Sequence, residues 1–410
     1  MFFVNAYEEM VPLNIIIIGG GASGLAAAVR ASENPENRVT LLERQSRVGR
    51  KLLSTGNGRC NLTNTGAARG NYHGESPDFV LPALAKYPPE AVLRFFASLG
   101  LETVTEYGGR VYPMSDHAGS VVDVLRLAVE RPNVRVLTGA AVTGVRRGFT
   151  AEWDGGRITA EKMIVACGGC AGGKLGGVTD GYAFLRSLGH SRTALHPALT
   201  TVRTDAAYPK ALKGVRTDAA AAVLRGDTAL AAARGDVLFT ETGLSGTAIF
   251  ELSRAVSTGG DGLSVSLDFF PDAAEAALYA DLKRRRTRWP SLEANRILTG
   301  TVQSRLGQML CKYAGIGGGA AAGSLSDPAL ETLARAMKNF RLPVTGVGGF
   351  DAAQVTAGGV RTSEFDPNTL QSRLVPGLYA CGEVLDIDGD CGGYNLQWAW
   401  ASGLLAGELL

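Results

Sequence analysis

"LNIIIIGGGASGLAAAVRASENPENRVTLLER", residues 13–44, decides the fold. Leu13–Ile18 is a branched apolar run interrupted only by Asn14, the mark of a parallel strand buried on both faces. Gly19, Gly21 and Gly24 follow as G-x-G-x-x-G. The first makes the turn, the second lets backbone approach a pyrophosphate, and the third lets the next helix pack on the sheet. That helix, "SGLAAAVRAS", carries the amides of Ala22 and Ser23 toward phosphate at its N-terminus. A second strand, "RVTLL" (38–42), runs into Glu43, nineteen residues after Gly24. A carboxylate there suits the hydroxyls of an adenosine ribose, with Arg44 beside it. The stretch predicts a dinucleotide-binding unit.

Bulk properties bound the rest. A chain of 410 residues, 45% apolar and 20% charged, holds two or three domains' worth of core. Lys+Arg number 41 against 39 Asp+Glu, so a net charge of +2 argues against bulk attraction to nucleic acid or anionic lipid. Six scattered cysteines suit a reducing cytoplasm better than a disulfide scaffold. The start lacks a cationic n-region, and "IIII" is far too short to span a bilayer. The first nine residues read as an extension ahead of Met10. Monomer and homodimer both remain open.

The far end of the chain selects the dinucleotide. "VPGLYACGEVLDIDGDCGGYNLQWAWASGLLAGELL" (375–410) reads as a short strand, Gly382-Glu383, a polar turn and a helix opening near Asn395. A flavin extends beyond the first nucleotide site, and such a return segment serves it. Glu383 is expected at the ribityl or phosphate side. The amides of Asn395, Leu396 and Gln397 are expected at the flavin N1 and C2 carbonyl, where a helix N-terminus stabilises negative charge. "KMIVACGG" (162–169) adds a strand running into Gly168-Gly169, for close backbone passage, and Val142 is placed to meet the adenine through its main chain. The expected cofactor is tightly bound FAD, with NAD(P)H visiting transiently as hydride donor because no second dinucleotide site is convincing.

The fold expectation is α/β: a Rossmann-type FAD-binding domain at 1–196 and 343–410, discontinuous around an insertion. Short strand-like pieces ("LTTVRT", "AAAVLRG", "TALAAARG", "DVLFTE") predict an antiparallel β domain at 197–250 and 318–342. Residues 251–317 read as a helical cap. "KRRRTRW" (283–289) reads as a solvated helix end, leaving nucleic-acid partnership a minor alternative, and "GIGGGAAAG" (315–323) as a linker.

"IIIIGGGASGLAAA", "GRKLLSTGNGRCNLTN", "GRVYPMSDHAGSVVDVL", "GLSGTAIFELS" and "GLYACGEVLDIDGDCGGYNLQWAWASG" together resemble the BaiN/YhiN-like flavoproteins over essentially the whole chain. The resemblance implies a flavoprotein of the two-dinucleotide-binding-domain type with an inserted barrel and helical region. It implies activities that include reduction of conjugated enones of oxidised bile acids and aminoacetone oxidation. Departures fall on the cap side and the glycine turn: Cys167-Gly168-Gly169-Cys170 stands where relatives carry a Thr-Gly-Gly type turn, Thr240-Glu241 where they carry Thr-His, and Thr247 where they carry Pro.

"GRKLLSTGNGRCNLTN" (49–64) leaves Glu43 and must run along the cofactor. Lys51 and Arg59 are cast as partners of pyrophosphate or flavin-side oxygens, with Leu52, Asn61 and Thr63 completing the loop's contacts. Cys60 has no second thiol nearby and is read as packing; Cys167 and Cys170 are likewise favoured as packing, and no metal site is expected. Hydride transfer at a flavin needs a partner for the accompanying proton. Tyr394, Arg110, Tyr112 and His196 are the candidates. The expected reaction is reduction of an activated C=C bond, the alternative an amine oxidation that yields peroxide.

Overall fold

A computed structural model describes residues 12–410. The extension ahead of Met10 lies outside the described residues. The described chain divides into two compact units, one of residues 12–195 and 355–410, the other of 196–354.

In the first unit, five parallel strands among the described residues stand in the order Leu378–Ala380, Lys162–Val165, Asn14–Ile18, Arg38–Glu43, Val134–Thr138. Ile15, Ile16, Ile17 and Ile18 are all buried, as a central strand covered on both faces requires. The terminal helix, Tyr394–Ala406, is buried nearly all round and presses on the helix Ala22–Ala31. A Cβ at Gly403 would lie 2.3 Å from Ser23 O, so two helices this close need glycine. Trp398 Nε1 donates to Gly382 O and Trp400 Nε1 to Leu62 O, which satisfies both indoles in the core.

The second unit is a closed antiparallel barrel, its described strands ordered Val202–Thr204, Gly243–Ser245, Thr228–Phe239, Arg216–Arg225, Leu263–Asp268, Phe340–Val347. Helices Thr247–Gly259, Glu275–Arg288, Ser304–Tyr313 and Asp327–Lys338 bury their apolar faces in the same core.

Several sequence expectations need correction here. "TALAAARG" and "DVLFTE" are one strand, because Gly235 sits inside the ladder opposite Ala219 instead of ending it. The second boundary falls at 354/355 and not 342/343, since residues 340–347 close the barrel. The division of the insertion into a β part and a helical cap also fails, because Leu263–Asp268, inside the span read as cap, is a barrel strand, and "DPALETLARAMKNF", helical in pattern, is the helix Asp327–Lys338 inside the span read as β. Among the described residues no helix is long and apolar enough to cross a membrane.

Candidate active site

The three glycines of the first turn meet different surroundings. A Cβ at Gly24 would lie 1.8 Å from Gly19 O, and one at Gly19 2.4 Å from Ala166 O, with φ at +110°. At Gly21 a Cβ would meet nothing within 4 Å. So Gly19 and Gly24 are fixed by protein, whereas the space above Gly21 is open. The helix behind it has no side-chain cap, and its first internal bond is Leu25 N to Gly21 O, leaving the Ala22 and Ser23 amides toward that space.

Glu43 is buried at the end of its strand. Its carboxylate accepts from Gly20 N (2.8 Å) and Gln45 N (2.7 Å), so it braces the turn while standing at the edge of the open space. Val142 opens the strand two residues after Ala140, whose amide donates to Glu43 O. Arg44 pairs with Asp180 at the surface.

Three segments distant in sequence converge beyond the turn. Glu383 Oε2 lies 2.9 Å from Lys51 Nζ, and Glu383 Oε1 accepts from Thr356 N at 2.8 Å. Thr356 Oγ1 in turn accepts from Ala171 N. A Cβ at Gly169 would strike Thr356 Oγ1 and Glu383 Oε1, and one at Gly382 would strike Ser23 Oγ. Gly168 and Gly382 both have positive φ. Thr356 is the organising residue that the sequence reading missed; it stands in "VTAGGV", and nothing local marks its hydroxyl as a hub.

At the other end, the terminal helix starts at Gly393, also without a side-chain cap. A Cβ there would fall 2.6 Å from Thr63 O and 2.9 Å from Asn61 Oδ1, so the loop 61–63 abuts the helix N-terminus. Leu52 is buried behind this loop. Asn61 Oδ1 is buried without a partner, a polar atom waiting for a donor. An open phosphate space over one uncapped helix, and an orphaned acceptor beside a second, fit a long dinucleotide such as FAD. A cavity of about 520 Å³ does not belong to this site: Asn14, Arg38 and Val134 place it at the opposite ends of the strands.

Two expected contacts are spent elsewhere. The Gln397 amide makes the first intrahelical bond, to Gly393 O, so the outward amides are those of Asn395 and Leu396. Its side chain accepts from Thr63 Oγ1 (2.6 Å) and donates to Tyr87 O (2.8 Å). The Asn395 side chain clasps Gly389 and Asp390. Arg59 is engaged by Glu106 and Asp116 and stacks 4.0 Å from the Tyr112 ring centroid, so two carboxylates already meet its charge.

Arg110 and Tyr112 share the strand Arg110–Pro113, which pairs with Thr63–Asn64 and Thr103–Thr105. Arg110 is half-buried and has no ion pair among the described residues. Burial raises the Tyr112 hydroxyl pKa, and the guanidiniums of Arg110 and Arg59 draw it back. Tyr394 heads the terminal helix, edge-on to Tyr72, whose hydroxyl donates to Tyr394 O. His196 opens the second unit.

The cysteines are free thiols. Burial pushes Cys60 up to about 11 and raises Cys167 and Cys170, so none is poised as a thiolate. Cys167 Sγ points to Ile18 O and Cys170 Sγ to Thr356 Oγ1.

A family model described as "HI0933-like protein Rossmann domain" matches residues 13–409. Among curated relatives, a 3-dehydro-bile acid delta(4,6)-reductase of Clostridium scindens is 41% identical over 399 residues, covering 96% of this chain and 97% of its own. A ribosomal RNA dihydrouridine synthase of Escherichia coli is 30% identical, covering 96% of each. Among solved structures, a 3-ketosteroid delta1-dehydrogenase of Sterolibacterium denitrificans aligns over 97% of this chain and 99% of its own, at 12% identity and a TM-score of 0.48.

Proposed function

The chain belongs to the HI0933-like Rossmann-domain family and is an FAD-dependent oxidoreductase; from that premise we propose that it saturates a C=C bond conjugated to a carbonyl in a small, steroid-like enone. Arg110 carries the reading: a half-buried guanidinium with no carboxylate partner among the described residues, beside the Tyr112 hydroxyl. Such a cation suits a substrate carbonyl oxygen that gains negative charge as the β-carbon is reduced. The relative's bile-acid name supplies the substrate class.

FAD would lie with its phosphates at Ala22 and Ser23, its adenosine at Glu43 and Val142, its ribityl side toward Lys51, Gly168, Gly169 and Glu383, and its ring edge at Asn61, Asn395 and Leu396. When bound it supplies the electron pair as hydride, and NAD(P)H is the donor that replenishes it. The chain's own residues do the rest. Arg110 binds the carbonyl oxygen, and Tyr112 Oη holds the proton that the α-carbon receives, so the substrate gains one hydride and one proton. Tyr394 packs at the helix mouth.

A dihydrouridine product is also a ring saturated next to a carbonyl, which raises an RNA substrate. The basic run speaks for a small molecule instead. Arg284 and Arg285 pair with Asp281, and Lys283 and Arg286 with Asp327. Each of these four cations has a carboxylate partner within the second unit, and the two aspartates offset half of their charge.

The test is anaerobic. Purified holoenzyme is mixed with NADH, then NADPH, and a conjugated 3-keto steroid acid is added. Bleaching of the oxidised-flavin band, its return with the enone and a product two mass units heavier are expected. A band indifferent to both nicotinamides but bleached by a small amine, with peroxide formed in air, would replace the reductase reading with the oxidase one.

A further inference from the structure

The hairpin that carries Arg110 and Tyr112 also exposes apolar side chains. Val104 pairs directly with Tyr112, and Met114 N donates to Glu102 O, extending the same ladder by one step. Alternation then puts Arg110, Tyr112, Met114 and Val104 on one face, where the Arg59 guanidinium covers the Tyr112 ring and leaves it 7% exposed, with Val111 and Pro113 on the other face. On the open face Val104 is 43% and Met114 63% exposed, and Tyr107 at the turn is 100% exposed. Single exposed apolar residues are ordinary; three on one short hairpin, beside a guanidinium with no ion pair among the described residues, are not.

The hairpin is held in place. Asn64 Nδ2 donates to Gly108 O and to Gly392 O, both at 3.1 Å, tying the turn to the mouth of the terminal helix. Arg59 brackets it through Glu106 and Asp116. Gly109 is left-handed, and a Cβ there would strike Thr65 Oγ1 and Asn64 Oδ1. The exposed side chains are thus presented by a fixed element.

We propose that Val104, Met114 and Tyr107 form a recognition strip for the apolar ring body of a substrate whose carbonyl sits at Arg110. The strip rests on the enone reading above and sharpens its substrate class. From Arg110 to Met114 is four strand steps, about 13 Å, which matches a fused multi-ring carbonyl compound and outruns any single six-membered ring. A uracil ring would leave most of the strip bare.

The test uses holoenzyme and the variants Val104→Ser, Met114→Ser and Tyr107→Ser, singly and combined, with the exposed helix residue Leu127→Ser as control. A saturated fused-ring keto acid, which cannot be reduced, is titrated calorimetrically, and KM is measured for a fused-ring enone and for cyclohex-2-enone. The combined variant is expected to weaken the saturated ligand's Kd and raise the fused-ring KM at least tenfold, with kcat within twofold. The cyclohexenone KM and the Leu127 control should move less than twofold. Wild-type protein that does not bind the saturated keto acid, or variants that bind it equally well, overturn the strip. Strip-dependent binding without turnover of either enone would sink the reaction reading and leave the strip standing.

Discussion

The two units bury their cores by opposite rules. In the first, the strand Asn14–Ile18 is apolar and buried at every inward and outward position after its exposed first residue, as a central strand covered on both faces requires. In the second, the strand Arg216–Arg225 alternates from 218 to 223, with Ala219, Ala221 and Val223 turned inward and the residues between them outward, as a barrel wall with one wet side demands, until a bulge after Val223 breaks the pattern. A continuous run announces itself in any window; an alternating run of small residues does not. The difference also has a steric side, since the first unit depends on backbones that touch, and the barrel on side chains that fill.

The largest effect should come from the touching backbones. Gly24→Ala forces a Cβ against Gly19 O at 1.8 Å and is expected to cost roughly 3 kcal/mol or more, seen as loss of soluble, flavin-bearing protein. Gly21→Ala meets open space at a φ of −83°. It should leave the apoprotein melting point unchanged and weaken FAD binding at least tenfold. Equal melting points for Gly24→Ala and wild type would break the distinction between the two glycines. In the barrel, Phe340→Ala empties a site bounded by Tyr208, Phe269 and Tyr313, at a cost of about 3–5 kcal/mol. Because each unit has its own core, calorimetry should show an early barrel transition with the flavin-unit transition in place.

These contrasts explain what the sequence disclosed. The glycine turn, Glu43, the strand at 162–165 and the terminal helix were legible because each joins a local period to a residue type with one steric use. The barrel was half legible. Its pieces showed as strands, but closure depends on residues 340–347 returning to 202–204, a pairing no local window contains. The site followed the same division. Lys51 and Glu383 could be named from their motifs, yet their contact across 332 residues, and the place of Thr356 between Glu383 and Ala171, belong to the fold. Arg59 could be named from its glycine loop, while its partners Glu106 and Asp116 lie more than forty residues on and belong to the fold.

A smaller effect should separate the units by pH. His190 is buried in the first unit, stacked 4.6 Å from Phe365, with Nδ1 at Glu364 and Nε2 at Ser372 Oγ. Burial lowers its pKa, with Glu364 pulling the other way. The folded state therefore resists a proton that the unfolded chain accepts at about pH 6.5. Stability from this group is present above that pH and is lost as pH falls below it. The depressed carboxyl of Glu364 adds a second loss in more acid solution. The flavin-unit transition should fall by a few degrees between pH 7 and 5, and His190→Gln should flatten that slope while the barrel transition moves alike in both proteins. Parallel slopes for variant and wild type would remove His190 from the account.

The smallest expected change in stability tests the barrel unit's surface. Asp281 and Asp327 together hold Lys283, Arg284, Arg285 and Arg286, and exposed pairs of this kind contribute less than about 1 kcal/mol each. Asp281→Asn with Asp327→Asn should shift melting little yet uncover four cations on one helix end. The double variant is then expected to retain RNA on a filter in 50 mM salt and release it at higher salt, while the wild-type protein passes through. Wild-type retention with the same salt dependence would mean that the two aspartates do not mask the run. The barrel unit would then offer a polyanion surface, and the small-molecule reading would lose the argument drawn from its charge.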